Sequence, residues 1–314
     1  MRGLLVVNPK ATTTSPRVID VIVNALSNEL DLDVTVTTHK GHGIMLGELA
    51  LEQGLDIVIT LGGDGVVNEV VNGILSHGAD GAGPLLATVP GGSANVFART
   101  LGLPTDSVEA TGLLLDRLRD GSTRTVSVGR ANDRWFVANA GLGIDAEIIA
   151  AMERQRKAGH SATPARYLRT TLMEFFRSTN RKEPALTLTR PPAADAPDGE
   201  RVDGLFLAVV QNSSPWTYFG NWPISLCPQA SFDTGLDVFA ARRMRIPTAL
   251  IAAQRLLTSR TGGTARGGLL GWHDQSTFSI SASRPVEFQI DGEGMGPATE
   301  VEFTSHPGAL RVVA

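Results

Sequence analysis

The chain has 314 residues, 42% of them hydrophobic and 19% charged, with a formal net charge of −4. Those values suit a globular chain long enough for two domains and provide no basic surface for nucleic acid. A single cysteine, Cys227, excludes an internal disulfide and a cysteine-rich zinc centre, and no apolar run approaches the roughly 20 residues that span a bilayer.

The opening MRGLLVVNPK turns to Asn-Pro before a signal-peptide core develops. It predicts a cytoplasmic protein whose membrane contact, if it has any, is peripheral. Residues 3–8 read as a buried strand. Ser15 and Pro16 then read as the cap and first residue of a helix whose apolar face is Ile19, Ile22, Val23, Leu26 and Leu30. A strand at 33–38, a helix at 43–53 and a strand at 56–61 continue a β-α-β-α-β rhythm. Such alternation implies a parallel sheet, whose ligands sit beyond the carboxyl ends of its strands.

At one of those ends stands LGGDGVVNEVVNG, residues 61–73. Val66, Val67, Val70, Val71, Ile74 and Leu75 form one helical stripe, leaving Asn68, Glu69 and Asn72 off it. A fourth strand at 85–89 runs into PGGSANVFARTLGLP, where Ser93 is placed to cap a helix and Gly102 with Pro104 to end it. Beyond about residue 125 the chain becomes a series of short strands, at 125–129, 134–141, 185–189, 205–212, 235–241, 278–282 and 286–290. Two helices are expected among them, near 163–178 and 247–259. The Pro/Ala/Asp-rich stretch 191–204 reads as a surface insertion.

Two successive strands ending in glycine-rich turns that open helices suit phosphate, because backbone N–H groups can be approached without meeting Cβ atoms. Neither turn is a Walker loop or a dinucleotide fingerprint. Gly-Gly-Asp-Gly alone reads as a phosphate cradle or as a tight turn whose aspartate caps a helix. For Asp64 both can hold, since it could meet phosphate through a metal or orient the loop.

NPKAT at 8–12, TTHKGH at 37–42, GGDGVVNEVVNG at 62–73, PGGSANVFARTLGLP at 90–104 and IDGEGMG at 290–296 occur together and in this order. In that combination the chain resembles the diacylglycerol kinase-type lipid kinases, in particular their soluble bacterial members, which are related to sphingosine and ceramide kinases. The resemblance implies an ATP-dependent enzyme that phosphorylates the hydroxyl of a membrane lipid such as diacylglycerol, a reaction of phospholipid biosynthesis. It also implies an N-terminal α/β domain like that of NAD kinase, residues 1–127, followed by a C-terminal β-sandwich domain, residues 128–314, whose last residues pack back on the first. ATP and acceptor would meet in the cleft.

By the same resemblance the nucleotide site takes Asn8, Pro9, Lys10, Ala11, Thr12, Thr37, Gly62, Gly63, Asp64, Gly65, Val66, Val67, Asn68, Gly91, Gly92 and Ser93. The family usually has a hydroxyl residue where this chain has Val66, and Ser-Gly where it has Ala11 and Thr12.

Phosphoryl transfer needs an oriented acceptor hydroxyl, a group to take its proton and a cation near the phosphoryl oxygens. Asp291 and Glu293 flank Gly292, and in an extended strand they would share one side. The resemblance makes Glu293 the proton acceptor and Asp291 its neighbour near magnesium; the residues alone also fit an acidic hairpin turn. In SFDTGLD the resemblance implies a Mg2+ held by Asp233 and the carbonyls of Ala230 and Gly235. An aspartate capping a hairpin turn is the other reading.

A lipid acceptor calls for exposed apolar residues. Trp216, Tyr218, Phe219 and Trp222 stand in one candidate loop, and Leu269, Leu270 and Trp272 in another, with Arg242, Arg243, Arg245 and Arg255 to favour anionic headgroups. The expected setting is the cytoplasm with transient visits to the inner membrane surface, and the resemblance is compatible with a homodimer, for which the sequence offers no readable interface. Rival readings are a kinase for a sphingoid base, a glycolipid precursor or NAD, and a regulator that binds lipid or nucleotide without catalysis.

Overall fold

The computed structural model describes residues 1–9, 11, 15–157, 183–193, 196–242 and 268–314. The helices expected near 163–178 and 247–259 lie outside the described residues, as do Lys10, Thr12, Arg243, Arg245 and Arg255. The chain divides into two compact units, Met1–Val128 with His306–Ala314 and Gly129–Ser305.

In the first unit the chain runs β1 (Arg2–Val7), α1 (Pro16–Ser27), β2 (Asp31–Val36), α2 (His42–Glu52), β3 (Ile57–Gly62), α3 (Asp64–Ile74), β4 (Leu85–Pro90), α4 (Val96–Thr100) and α5 (Ser107–Arg119). The strands are parallel in the order β2-β1-β3-β4, and Val312 near the C-terminus pairs in parallel with Leu86. β3 is buried along its whole length and reads as an unbroken apolar run, as a central parallel strand should. Ser15 caps α1, its Oγ accepting from Val18 N at 3.4 Å, with Pro16 at the first turn. One face of the sheet packs Leu5, Val7, Ile57, Ile59 and Leu61 against Ile22 and Leu26 of α1 and Leu114 of α5. The sequence reading does not contain α5, whose start is fixed by the Asp106 carboxylate accepting from Val108 N and Glu109 N.

The single apolar stripe expected of α3 is too narrow. Every residue from Val66 to Ile74 is buried, Asn68, Glu69 and Asn72 included. Glu69 is satisfied inside because its carboxylate accepts from Gly41 N at 2.7 Å and Gly43 N at 2.9 Å, the amides that open α2. Asn72 Nδ2 donates to Asn68 O at 2.9 Å. Such a close α2–α3 crossing requires glycine, since a Cβ on Gly73 would meet Ile44 O and lie 2.8 Å from Gly47 Cα.

The second unit contains β6 (Arg134–Phe136), β7 (Asn139–Gly143), α6 (Ile144–Lys157), β8 (Leu186–Arg190), β9 (Glu200–Leu205), β10 (Leu207–Gln211), β11 (Thr217–Phe219), β12 (Trp222–Ile224), β13 (Leu236–Ala241), β14 (Leu269–Gln275) and β15 (Thr277–Ile290). Two more strands, β5 (Thr123–Ala131) and β16 (Glu293–Val313), have residues in both units. The strands expected at 278–282 and 286–290 are one strand, β15, with a register shift between Ser281 and Val286. Its first part pairs with β8 and its last part with β7, which continues to β10, β13 and β14. Both strand sets supply one core, with Leu188 and Val202 from one, Leu142 and Val238 from the other, and Phe278 and Phe303 from β15 and β16. The expected run 134–141 breaks into β6 and β7, and Leu269, Leu270 and Trp272, expected in an exposed loop, belong to β14, with Leu269 buried.

Replacing Gly73 by Ala should destabilise the protein by about 1–3 kcal/mol, since the overpacked α2–α3 crossing outweighs the gain in helix propensity. Urea denaturation would show a lower midpoint at unchanged slope.

Candidate functional site

At the carboxyl edge of the first sheet the ends of all four parallel strands, β1 to β4, are tied together through main chain. Asn8 N donates to Leu61 O at 2.9 Å, Gly91 N to Gly62 O at 2.7 Å and Thr37 N to Val7 O at 2.8 Å. The β3–α3 and β4–α4 turns lie on each other there. A Cβ on Gly92 would come within 2.6 Å of Gly63 Cα, and one on Gly91 within 3.1 Å of Gly62 Cα and 3.2 Å of Ala11 Cβ. The first need for glycine is thus contact between the two turns, and the result is a main-chain edge with few side chains.

Of the residues assigned to the nucleotide, Asn8, Ala11, Thr37, Gly62 to Gly65 and Gly91 to Ser93 gather at this edge, with Pro9 exposed beside it. Val66, Val67 and Asn68 are buried in the first turns of α3. The short helix α4 is not capped by Ser93, which is exposed. Asn95 takes the cap position with φ 49° and closes a small ring, its side chain accepting from Gly92 N at 2.8 Å and donating to Gly92 O at 2.9 Å. The helix amide at Phe97 is satisfied across the two turns, donating to Asp64 Oδ1 at 3.0 Å. Burial lifts the Asp64 carboxyl above its ordinary value, while the Phe97 and Val96 amides pull it down. Asp64 therefore orients the loop by capping a neighbouring helix instead of its own.

In the second unit Asp291 and Gly292 do not continue an extended strand. Ile290 pairs with Glu293 across them, and both residues have positive φ, 45° and 78°, the pattern of a two-residue hairpin turn. Asp291 nevertheless points inward and is 7% exposed. Its Oδ1 accepts from Ala138 N and Asn139 N and its Oδ2 from Val137 N, each at 2.9 Å, while its own N donates to Asn139 O at 2.8 Å. These amides occur where β6 gives way to β7, so the break in the expected strand serves the turn. Asp291 is thus fixed by backbone amides, and Glu293, half-buried, follows at the start of β16.

Beneath the turn lies a polar cluster that the sequence reading did not find. Gln289, 1% exposed, accepts from Gly292 N at 2.9 Å through Oε1 and donates from Nε2 to Asn139 Oδ1 at 3.0 Å and Asp145 Oδ2 at 2.8 Å. Asp145 on α6 is 4% exposed, and burial pushes its carboxyl to about 6 in spite of the Gln289 hydrogen bond. Gly141 leaves the space for it, since a Cβ there would strike the Asp145 carboxylate. Glu153, also on α6, accepts from Gly294 N at 3.1 Å. No local pattern marks these residues, because they are separated by up to 150 positions and meet only through strand pairing.

The resemblance assigns magnesium to the turn that holds Asp233, with Ala230 and Gly235 on either side. Asp233 is exposed and meets its own turn, its N donating to Ser231 Oγ at 3.2 Å. Gly235 N donates to Asp274 Oδ1 at 2.6 Å, and Ala230 is buried. Among the described residues no three His, Cys, Asp or Glu side chains converge as metal ligands. Nearby, buried Asp237 accepts from Asp274 N at 3.0 Å and lies 2.7 Å from His273 Nδ1.

Asp145 has a consequence for pH dependence. Its folded value of about 6 exceeds the ordinary 3.8, so between the two the folded protein binds more protons and stability falls as pH rises. Above about pH 6 the ionised carboxylate is a standing cost, on the order of 1–3 kcal/mol. Asp145→Asn should therefore be more stable than the parent at about pH 7–8, with the difference vanishing near pH 4, as read by urea melts across that range.

Residues 2–131 match the model of the diacylglycerol kinase catalytic domain. A protein of Chromohalobacter salexigens named "Probable lipid kinase YegS-like" is 30% identical over 292 residues, covering 90% of this chain and 84% of its own. A Staphylococcus haemolyticus "Diacylglycerol kinase" is 35% identical over 124 residues, 40% of this chain and 36% of its own. The crystal structure of a diacylglycerol kinase from Bacillus anthracis str. Sterne matches with a TM-score of 0.71 at 20% identity, over 99% of this chain and 96% of its own. An NAD kinase from Archaeoglobus fulgidus in complex with ATP matches with a TM-score of 0.51 at 12% identity, over 100% and 94%. These structural likenesses establish the fold, an NAD kinase-like α/β unit followed by a strand-rich one. The full-length sequence similarity establishes the lineage: the chain belongs to the diacylglycerol kinase-type family of YegS-like lipid kinases.

Proposed function

We propose that this chain transfers the γ-phosphoryl group of ATP to the primary hydroxyl of diacylglycerol, giving phosphatidic acid. The observation that carries the reading is the Asp291–Gly292 turn, in which one carboxylate is fixed by three backbone amides and a second, Glu293, follows at once. A turn so constrained suits a group that must meet a hydroxyl in a defined direction.

In this reading the triphosphate lies along the exposed part of the glycine turns, Gly63 to Gly65 with Gly92 and Ser93. Glu293 accepts the hydroxyl proton as the acceptor oxygen bonds to the γ-phosphorus. The bond from that phosphorus to the β–γ bridging oxygen breaks, and ADP leaves with the electron pair. Magnesium enters as the counter-ion of ATP, where it would offset phosphate charge; no step is assigned to the Asp233 turn.

The acceptor lies at a bilayer surface, and no helix among the described residues is long and apolar enough to cross one. The hairpin β11–β12 stands apart from the larger sheet, carries no charged residue and exposes Trp222 at 73%. Its base is joined to the Asp291 turn, Asn139 Nδ2 donating to Trp216 O at 3.1 Å. It is the surface proposed to touch lipid. Arg242, at the other end of β13 from Asp237, is remote from this hairpin along the strand. Because the Chromohalobacter relative is named a lipid kinase without its lipid, a sphingoid base or glycolipid precursor is the second reading for the acceptor.

Labelling of diacylglycerol in mixed micelles with radiolabelled ATP tests the first reading, with a sphingoid base and a glycolipid precursor alongside. Glu293→Gln should lower kcat about 100-fold or more at unchanged ATP affinity; undiminished labelling would remove Glu293 from the mechanism. Trp222→Ala should weaken activity on vesicles by roughly 10-fold, the worth of one buried large apolar side chain, and leave a soluble short-chain acceptor unaffected.

A further inference from the structure

Gln289 occupies its place through an irregularity in the β15–β16 hairpin. Phe288 pairs with Gly296 but Gln289 pairs with Gly294, so β16 has one extra residue there, Met295, which is 39% exposed. Such a bulge re-aims the side chains next to it. Here the effect is to turn an uncharged amide, 1% exposed, under the Asp291–Gly292 turn. Both ends of that amide are used: Oε1 accepts from Gly292 N, and Nε2 divides between Asn139 Oδ1 and Asp145 Oδ2. Asn139 in turn donates its backbone N–H to Asp291 Oδ1 and its side-chain amide to Trp216 O. One side chain thereby connects the residue before Glu293 to strand β7, helix α6 and the base of the exposed hairpin.

We propose that Gln289 is a positioning residue for Glu293, fixing the turn that presents the carboxylate by bonding Gly292 N while anchored to Asn139 and Asp145. This rests on the reading of Glu293 as proton acceptor. The three amides on Asp291 fix the first residue of the turn, and Gln289 fixes the second, so that Glu293 leaves the turn in one direction. The groups facing the Gln289 amide are Asp145 from α6 and Asn139 from β7. Asp291 and Glu153 are the further carboxylates nearby, each bonded to backbone amides.

Two variants test this. Gln289→Met keeps the volume and removes both ends of the amide. Its kcat on micellar diacylglycerol should fall roughly 10–100-fold, the cost of about 1 Å of misplacement, while KM for ATP stays within about 2-fold. Amide exchange at 291–293 should quicken and that at 57–67 should not. Gln289→Glu keeps the acceptor for Gly292 N and sets a carboxylate against Asp145; on protonation it regains a donor. Its kcat relative to the parent should therefore rise as pH falls from about 8 to 6, a response that a purely structural role would not produce. Should Gln289→Met fail to fold, the pH response of Gln289→Glu decides.

Parent-like kcat in Gln289→Met, unchanged exchange at 291–293 in that variant, or a flat pH ratio for Gln289→Glu would overturn the proposal. The exchange measurement needs no acceptor and stands whatever the lipid. A fully active Glu293→Gln would instead refute the reading on which the proposal rests, and so the two failures are distinguishable.

Discussion

The acidic hairpin of the second unit depends on one interaction, the clasp of the Asp291 carboxylate by the amides of Val137, Ala138 and Asn139. A non-glycine residue at φ 45° is unfavourable by itself, and a buried carboxylate more so. Each is tolerated because the other is present: the left-handed backbone turns the side chain inward, and inside it meets three donors at hydrogen-bonding distance. Charge-assisted bonds of this kind are about twice as strong as neutral ones. The consequence is that Asp-Gly, normally a surface turn, becomes a fixed point from which Glu293 departs.

The protein pairs its buried and half-buried carboxylates in different ways. Glu69 takes the opening amides of α2 and so joins two helices. Asp64 takes the Phe97 amide and joins two glycine turns. Asp291 takes three amides and holds a hairpin. Asp145, among the described residues, meets the Gln289 amide in the same interior, too little to offset burial, which pushes its carboxyl to about 6. A charge left underpaired beside a proposed reaction centre is an arrangement found more often at functional sites than in scaffolds.

The glycine turns follow the same economy of space. Phosphate chemistry and packing both demand residues without Cβ, and here the packing demand is visible in full: Gly91 and Gly92 lie on Gly62 and Gly63 closely enough that methyl groups would collide. The main-chain edge proposed to receive ATP is therefore a by-product of two turns in contact. Asp64 and Asn95 then fix its shape by bonding across and within the turns.

Much of this was legible in the residues themselves. The apolar runs of β1, β3 and β4, the Ser15-Pro16 start of α1 and the glycines at two strand ends determined a parallel α/β unit with glycine turns at the Gly62 and Gly91 strand ends, because period and capping are local properties. Ordered motifs from residue 8 to residue 296 determined the family. What tertiary structure alone decided is where polar side chains go. Glu69, Asn68 and Asn72 look like a solvent face of α3 until α2 is laid on it; Ser93 looks like a cap until Asp64 reaches Phe97 from another turn; Asp291 looks like half of an exposed pair until β6 and β7 bring it three amides. Asn139, Asp145 and Gln289 carry no local signal at all. A hydrogen bond is satisfied by whichever donor the fold delivers, and that partner is a property of the packed chain, not of the residues on either side.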